Sequence, residues 1–80
     1  MLKEFVEHLV TQLVNDPESV IVSIVHDQDN VDEVSVIEIK VNPRDRGRLI
    51  GKRGQTIRAI RTLVDTMISA KEKISVRVAD

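Results

Sequence analysis

Leu49-Ile50-Gly51-Lys52-Arg53-Gly54-Gln55-Thr56-Ile57 is the segment of this 80-residue sequence whose residue types and spacing best suit chemistry. Two glycines three positions apart enclose two cations. Glycine carries no Cβ, so a bound group can approach the backbone closely, and its wide φ range permits a sharp turn. A helix opening after Gly54 would turn its N–H groups and positive dipole end toward the same point. Such a turn suits an anion, and the phosphodiester group above all. Taken alone, Gly-x-x-Gly fits a plain helix–helix turn equally well. A Walker A loop needs Gly-x-x-x-x-Gly-Lys followed by Ser or Thr. Here only three residues separate Gly47 from Gly51, and Arg53 follows the lysine. No dinucleotide fingerprint is present.

Catalysis finds no support in the sequence. The only histidines are His8 and His26. His8 sits beside an apolar stripe and His26 at an acidic turn, and neither has a partner at a useful spacing. The carboxylates Asp27, Asp29, Asp32 and Glu33 lack the calcium-loop pattern with its central glycine and terminal glutamate. They read as a solvated turn whose charge repels nucleic acid. There is no cysteine, hence no disulfide and no thiolate metal site. No enzyme activity, cofactor or metal is expected.

The net charge of −1 conceals a steep asymmetry. Residues 1–39 carry one base and nine acids, a net of −8. Residues 40–61 carry eight bases and one acid, a net of +7. Surface charge acts within a Debye length of about 8 Å, so this local balance sets what the surface attracts. Arg44, Arg46, Arg48, Arg58 and Arg61 join Lys52 and Arg53 as candidates for phosphate contact, although each alone fits a solvated surface arginine. Phe5 is the only aromatic residue. Base recognition by aromatic stacking is therefore not expected, and weak affinity with loose sequence preference is.

The elements that must position this segment follow from periodicity. Leu2, Phe5, Val6, Leu9, Val10, Leu13 and Val14 recur at helical steps and predict an amphipathic helix, ended by Asn15-Asp16-Pro17. Val20–Val25 is β-branched and predicts a strand buried in part on both faces. His26–Glu33 is a polar connection. Val34–Val41 predicts a second strand in an antiparallel hairpin with the first, its phase shift at Val36-Ile37 marking a bulge or two-sided burial. Asn42-Pro43-Arg44-Asp45 starts a short helix that stops at Gly51. A longer helix runs from about Gln55 to Ala70, with Ile57, Ile60, Leu63, Val64, Met67 and Ile68 as its buried stripe. Ile74, Val76 and Val78 alternate along a last strand, parallel to the second by a right-handed crossover. The expected architecture is α+β, in the order α-β-β-α-α-β. It has a three-stranded mixed sheet, strand two central, and three helices on one face. A chain this short is expected to be one domain spanning residues 1–80, with a small core.

In that order of elements, Ile50-Gly51-Lys52-Arg53-Gly54-Gln55-Thr56-Ile57 matches the Ile-Gly-x-x-Gly-x-x-Ile signature, and nearly the whole chain resembles the KH domain in its type II, bacterial arrangement. Size and wording resemble the small bacterial single-KH, KhpA-like family. The resemblance implies a non-enzymatic protein that binds single-stranded RNA. Its Gly-x-x-Gly loop would clamp a backbone of about four nucleotides. By resemblance that role falls on Gly51, Lys52, Arg53 and Gly54. Ile50, Gln55 and Ile57 lie in the same signature, with Ile50 and Ile57 as candidate walls of a base groove whose strand edge stays open. Arg44, Arg48 and Arg58 are candidate phosphate contacts. The resemblance also implies a homodimer and a larger KH-containing partner, KhpB-like. It implies a role as RNA chaperone or post-transcriptional regulator, with a link to cell elongation or division. The alternative is a protein-interaction subunit whose KH fold serves dimerisation. The N-terminus lacks the pattern of a signal peptide and no apolar run has membrane-spanning length, so a cytoplasmic protein is expected.

Overall fold

The computed structural model describes residues 2–26, 35–68 and 73–79. Helix α1 spans Leu2–Leu13, strand β1 Ile21–His26, strand β2 Ser35–Lys40, helix α2 Arg46–Ile50, helix α3 Gln55–Met67 and strand β3 Ile74–Val78. Short 3-10 turns at Pro17–Ser19, Pro43–Asp45 and Lys52–Gly54 precede β1, α2 and α3. The sheet order is β1-β2-β3. β2 pairs antiparallel with β1 and parallel with β3, as the α-β-β-α-α-β order predicts.

Register explains the layers. Val22 lies opposite Ile39, and Ile37 is flanked by Ile24 and Val76. Alternation puts these side chains on one face. That face carries the core: Val22, Ile37, Ile39 and Val76 are buried with Val6 and Val10 of α1, Leu49 of α2, and Ile57, Ile60 and Val64 of α3. The helices therefore cover one side of the sheet. On the other side Ser23, Glu38 and Arg77 fall in one row across the strands. Arg77 Nε donates to Glu38 Oε2 at 3.0 Å there, on the open face. The ladder through Val36 and Ile37 is uninterrupted, so the phase shift marks two-sided placement and not a bulge.

Several sequence expectations are corrected. β1 is an edge strand, and Ile21 and Val25 on its outward face are exposed. α3 ends at Met67, because Ile68 is already extended. Leu63 and Met67, expected in the buried stripe, are 43% and 50% exposed. They sit on the flank of the stripe, and of α3 only Ile57, Ile60 and Val64 are buried. The carboxylates at positions 27, 29, 32 and 33 lie outside the described residues.

One polar network ties the first helix to the second. Asp45 is 2% exposed, and its carboxylate accepts from the backbone N–H of Asn15 at 3.2 Å and of Asp16 at 3.0 Å. Asp16 Oδ2 in turn accepts from Ser19 Oγ at 2.6 Å and Asn42 Nδ2 at 3.2 Å. Asn42 Oδ1 caps the turn into α2 by accepting from Arg44 N at 3.0 Å. These hydrogen bonds hold the entry of α2 against the exit of α1.

Candidate nucleic-acid interface

Helix α2 is only five residues long. It is held by Leu49, which is fully buried, while Ile50 next to it is 39% exposed. Gly51 caps it: its N–H donates to the Gly47 carbonyl at 2.8 Å, and its backbone turns away at φ 79°, ψ 171°. Lys52–Gly54 then make a single 3-10 turn, with Gly54 N donating to Gly51 O at 3.1 Å and the Gln55 N–H to Lys52 O. Two of the N–H groups expected to greet an anion are therefore spent inside the turn. The cationic side chains, rather than those amides, supply its positive charge.

The turn needs three residues at positive φ. Gly51 and Gly54 meet that need without steric cost. The third is Arg53, at φ 57° and ψ 26°. A left-handed non-glycine residue costs roughly 1–2 kcal/mol, and the sequence gives no hint of it. Arg58 Nη2 supports the turn by donating to the Arg53 carbonyl at 3.4 Å. The result presents Lys52 and Arg53 outward, both exposed, above a base fixed by Leu49, Ile57 and Ile60 in the core.

Of the residues singled out from sequence, Lys52, Arg53, Gln55 and Arg58 are exposed on the turn and the first turns of α3, and Gly51 and Gly54 form its backbone. Arg48 is exposed on α2 and Arg44 on the 3-10 turn before it, leading up to the loop. Ile50 is accessible, whereas Ile57 is 6% exposed and belongs to the core. Arg61 is engaged with the sheet: its Nε donates to the Val76 carbonyl on β3 at 3.0 Å. Among the described residues no cluster of three or more His, Asp or Glu could hold a metal ion. No helix among them is long and apolar enough to cross a membrane.

Comparison with known proteins gives a consistent result. A family model described as KhpA/KhpB, KH domain, matches residues 3–79. The chain is 42% identical over 64 residues to the RNA-binding protein KhpA of Streptomyces coelicolor, covering 80% of this chain and 76% of that one. It is 37% identical over 78 residues to the protein of the same name in Clostridium perfringens, covering 96% and 99%. It is 35% identical over 80 residues to that of Chlamydia trachomatis, covering 99% and 97%. No solved structure matches it significantly.

Proposed function

Because the chain belongs to the KhpA/KhpB KH-domain family, we propose that it binds single-stranded RNA and that the Gly51-Lys52-Arg53-Gly54 turn holds the phosphodiester backbone. The observation that carries this reading is the turn itself. Two exposed cations stand between positive-φ glycines, on a base anchored in the core. A rigid cationic point of close approach is what a phosphate chain needs. The naming of three relatives as RNA-binding proteins supports it. Gln55, Arg58, Arg48 and Arg44 extend the contact surface along the flanking helices. Ile50 offers an apolar wall, with Ile57 beneath it as core.

In this reading the protein is a binding module and not an enzyme. It works in the cytoplasm as an RNA chaperone or post-transcriptional regulator with a link to cell elongation or division. It pairs with itself and with a larger KH-containing, KhpB-like protein. The joint KhpA/KhpB family description supports the heteromeric pairing. Neutralising about three phosphates gives a log–log salt slope of roughly −2 for single-stranded RNA, with duplex of equal length binding more weakly.

The test is replacement of Lys52 and Arg53 by aspartate. Both are exposed, and surface changes usually move stability by no more than about 0.5 kcal/mol. The expected loss of affinity is about tenfold to a hundredfold, or roughly 1.4–3 kcal/mol, with an unchanged circular dichroism spectrum. A second reading, a protein-interaction subunit, is favoured by the exposed apolar side chains Leu63 and Met67 on α3. Undiminished RNA binding by the double variant, with a stable complex in sedimentation, would put that reading first.

A further inference from the structure

Strand β1 is an edge of the sheet: β2 pairs with one side of it, and no strand among the described residues pairs with the other. Every second residue of an edge strand turns its backbone N–H and C=O outward, where another chain can pair with them. Folds commonly blunt such an edge with Lys, Pro or a bulge. β1 reads Ile-Val-Ser-Ile-Val-His and has none of these residues, and its ladder with β2 runs unbroken from Ile21 to His26. The opposite edge strand, β3, carries the exposed Arg77.

The exposed apolar residues of β1 lie on both faces of the sheet. Ile21 and Val25, 57% and 44% exposed, share the open face with Ser23. Ile24, 41% exposed, shares the helix side with Val22, and Val22 is buried. The helices therefore cover the start of the strand and leave Ile24 open. A helix or a second sheet laid on the molecule would cover one face only. A strand laid alongside sends alternate side chains to both faces. One set covers Ile21 and Val25 and the other covers Ile24, while its backbone satisfies the outward groups of β1. The shape that completes this edge is an extended peptide.

Charge identifies whose peptide it is. Helix α1, strand β1 and most of β2 are drawn from residues 1–39, whose net charge is −8. β2 flanks β1 and α1 packs against it, and Glu18 stands exposed on the turn that leads into β1. A second copy joined along this edge would bring its own −8 beside the first, and like charges within a Debye length of about 8 Å repel. An uncharged edge in acidic surroundings fits instead a strand that is apolar in its middle and basic at its ends. We propose that β1 is a docking edge for an extended segment of another protein, rich in β-branched residues and flanked by Lys or Arg, which joins the sheet as a fourth strand.

The test uses the whole protein and three synthetic peptides, followed by fluorescence anisotropy. The first is Lys-Lys-Val-Thr-Val-Ile-Val-Lys-Lys. The second replaces every Lys by Glu. The third keeps the lysines and replaces Thr and Ile by Pro, which retains the charge and removes two backbone donors. The first peptide binds at least about tenfold more tightly than either of the others. Its binding slows amide hydrogen exchange in residues 21–26 and leaves β3 unchanged. Val25→Lys, an exposed substitution that charges the edge, weakens that binding about tenfold, with circular dichroism and RNA binding unaltered. Equal binding of the proline peptide, protection away from β1, undiminished binding by Val25→Lys, or no binding of the first peptide at millimolar concentration overturns the proposal. Self-association in sedimentation that Val25→Lys abolishes would make a second copy the occupant, and overturns it too.

Discussion

Thr56 occupies the space into which a side chain on Gly51 would project. A Cβ on Gly51 would lie 2.8 Å from Thr56 Cβ and 2.8 Å from Thr56 N, and closer still to Thr56 Oγ1. A Cβ on Gly54 would meet nothing nearer than Arg58 Nη2 at 4.0 Å. The two glycines of the turn thus look alike in sequence and differ in their surroundings.

Gly51→Ala and Gly54→Ala therefore differ in cost. At Gly54 only the left-handed backbone is penalised, roughly 1–2 kcal/mol. At Gly51 a positive φ and a collision with the first turn of α3 add together, and the loss is expected to exceed that of Gly54→Ala by at least about 1 kcal/mol. Urea unfolding of both variants checks this; equal losses would contradict it.

Arg53 gives a prediction of opposite sign. Its left-handed backbone is relieved by glycine, so Arg53→Gly is expected to gain up to about 1 kcal/mol of stability, part of the strain being offset by the greater freedom of glycine when unfolded. The same variant removes a loop cation and lowers affinity for single-stranded RNA. Stability and binding moving apart in one variant, in urea titration and anisotropy respectively, is the expected signature.

Asp45→Ala leaves the N–H groups of Asn15 and Asp16 without their acceptor. An unsatisfied donor costs about 1–3 kcal/mol when fully buried; these two bonds are part-buried, so a loss at the lower end of that range is expected by thermal or urea unfolding. Asp45→Asn keeps an acceptor oxygen and should lose less.

The Ser19 hydroxyl, and next the Asn42 amide, hold the Asp16 carboxyl below its ordinary value of 3.8. The fold favours the charged form, so the contribution of Asp16 is complete above that ordinary value and disappears as pH falls through the lowered, folded-state value. Asp16→Asn is expected to show a shallower loss of stability than the parent between about pH 4 and pH 2, measured by urea unfolding at stepped pH. Parallel curves would show that the Asp16 pairing contributes nothing.

The order of elements and the central place of β2 were legible in sequence because they rest on alternation, punctuation by Gly and Pro, and the handedness of crossovers. The Gly51–Gly54 turn was legible because glycine spacing is a local signal. Four features were not. The burial of Asp45 depends on the distant backbone of Asn15 and Asp16, and an acid after Pro43 reads as an ordinary first-turn residue. The conformation of Arg53 is imposed by the packing of two helices whose core contacts, Leu49 and Ile57, lie on either side. The exposure of Leu63 and Met67 reflects which flank of α3 its neighbours cover, and helical periodicity gives a face without saying how wide the cover is. Arg61 could be seen as a cation, but its bond to Val76 joins residues whose sequence separation hides the contact.

Arg61 and Asp65 of α3 line a groove with Ile74, Ser75 and Val76 of β3, and the wall that β3 gives it has a kinetic meaning. The β1–β2 hairpin and the α2–α3 pair form between near neighbours in the chain, whereas the parallel pairing of β2 with β3 must wait for a long loop to close, the slow kind of contact. The cations of the turn are in place before that closure, and the groove is not. A molecule whose last strand has opened locally keeps the cationic turn and loses the wall that Ile74, Ser75 and Val76 give to the groove. The free energy of docking one short edge strand thereby sets the fraction of molecules in which that groove is whole at any moment.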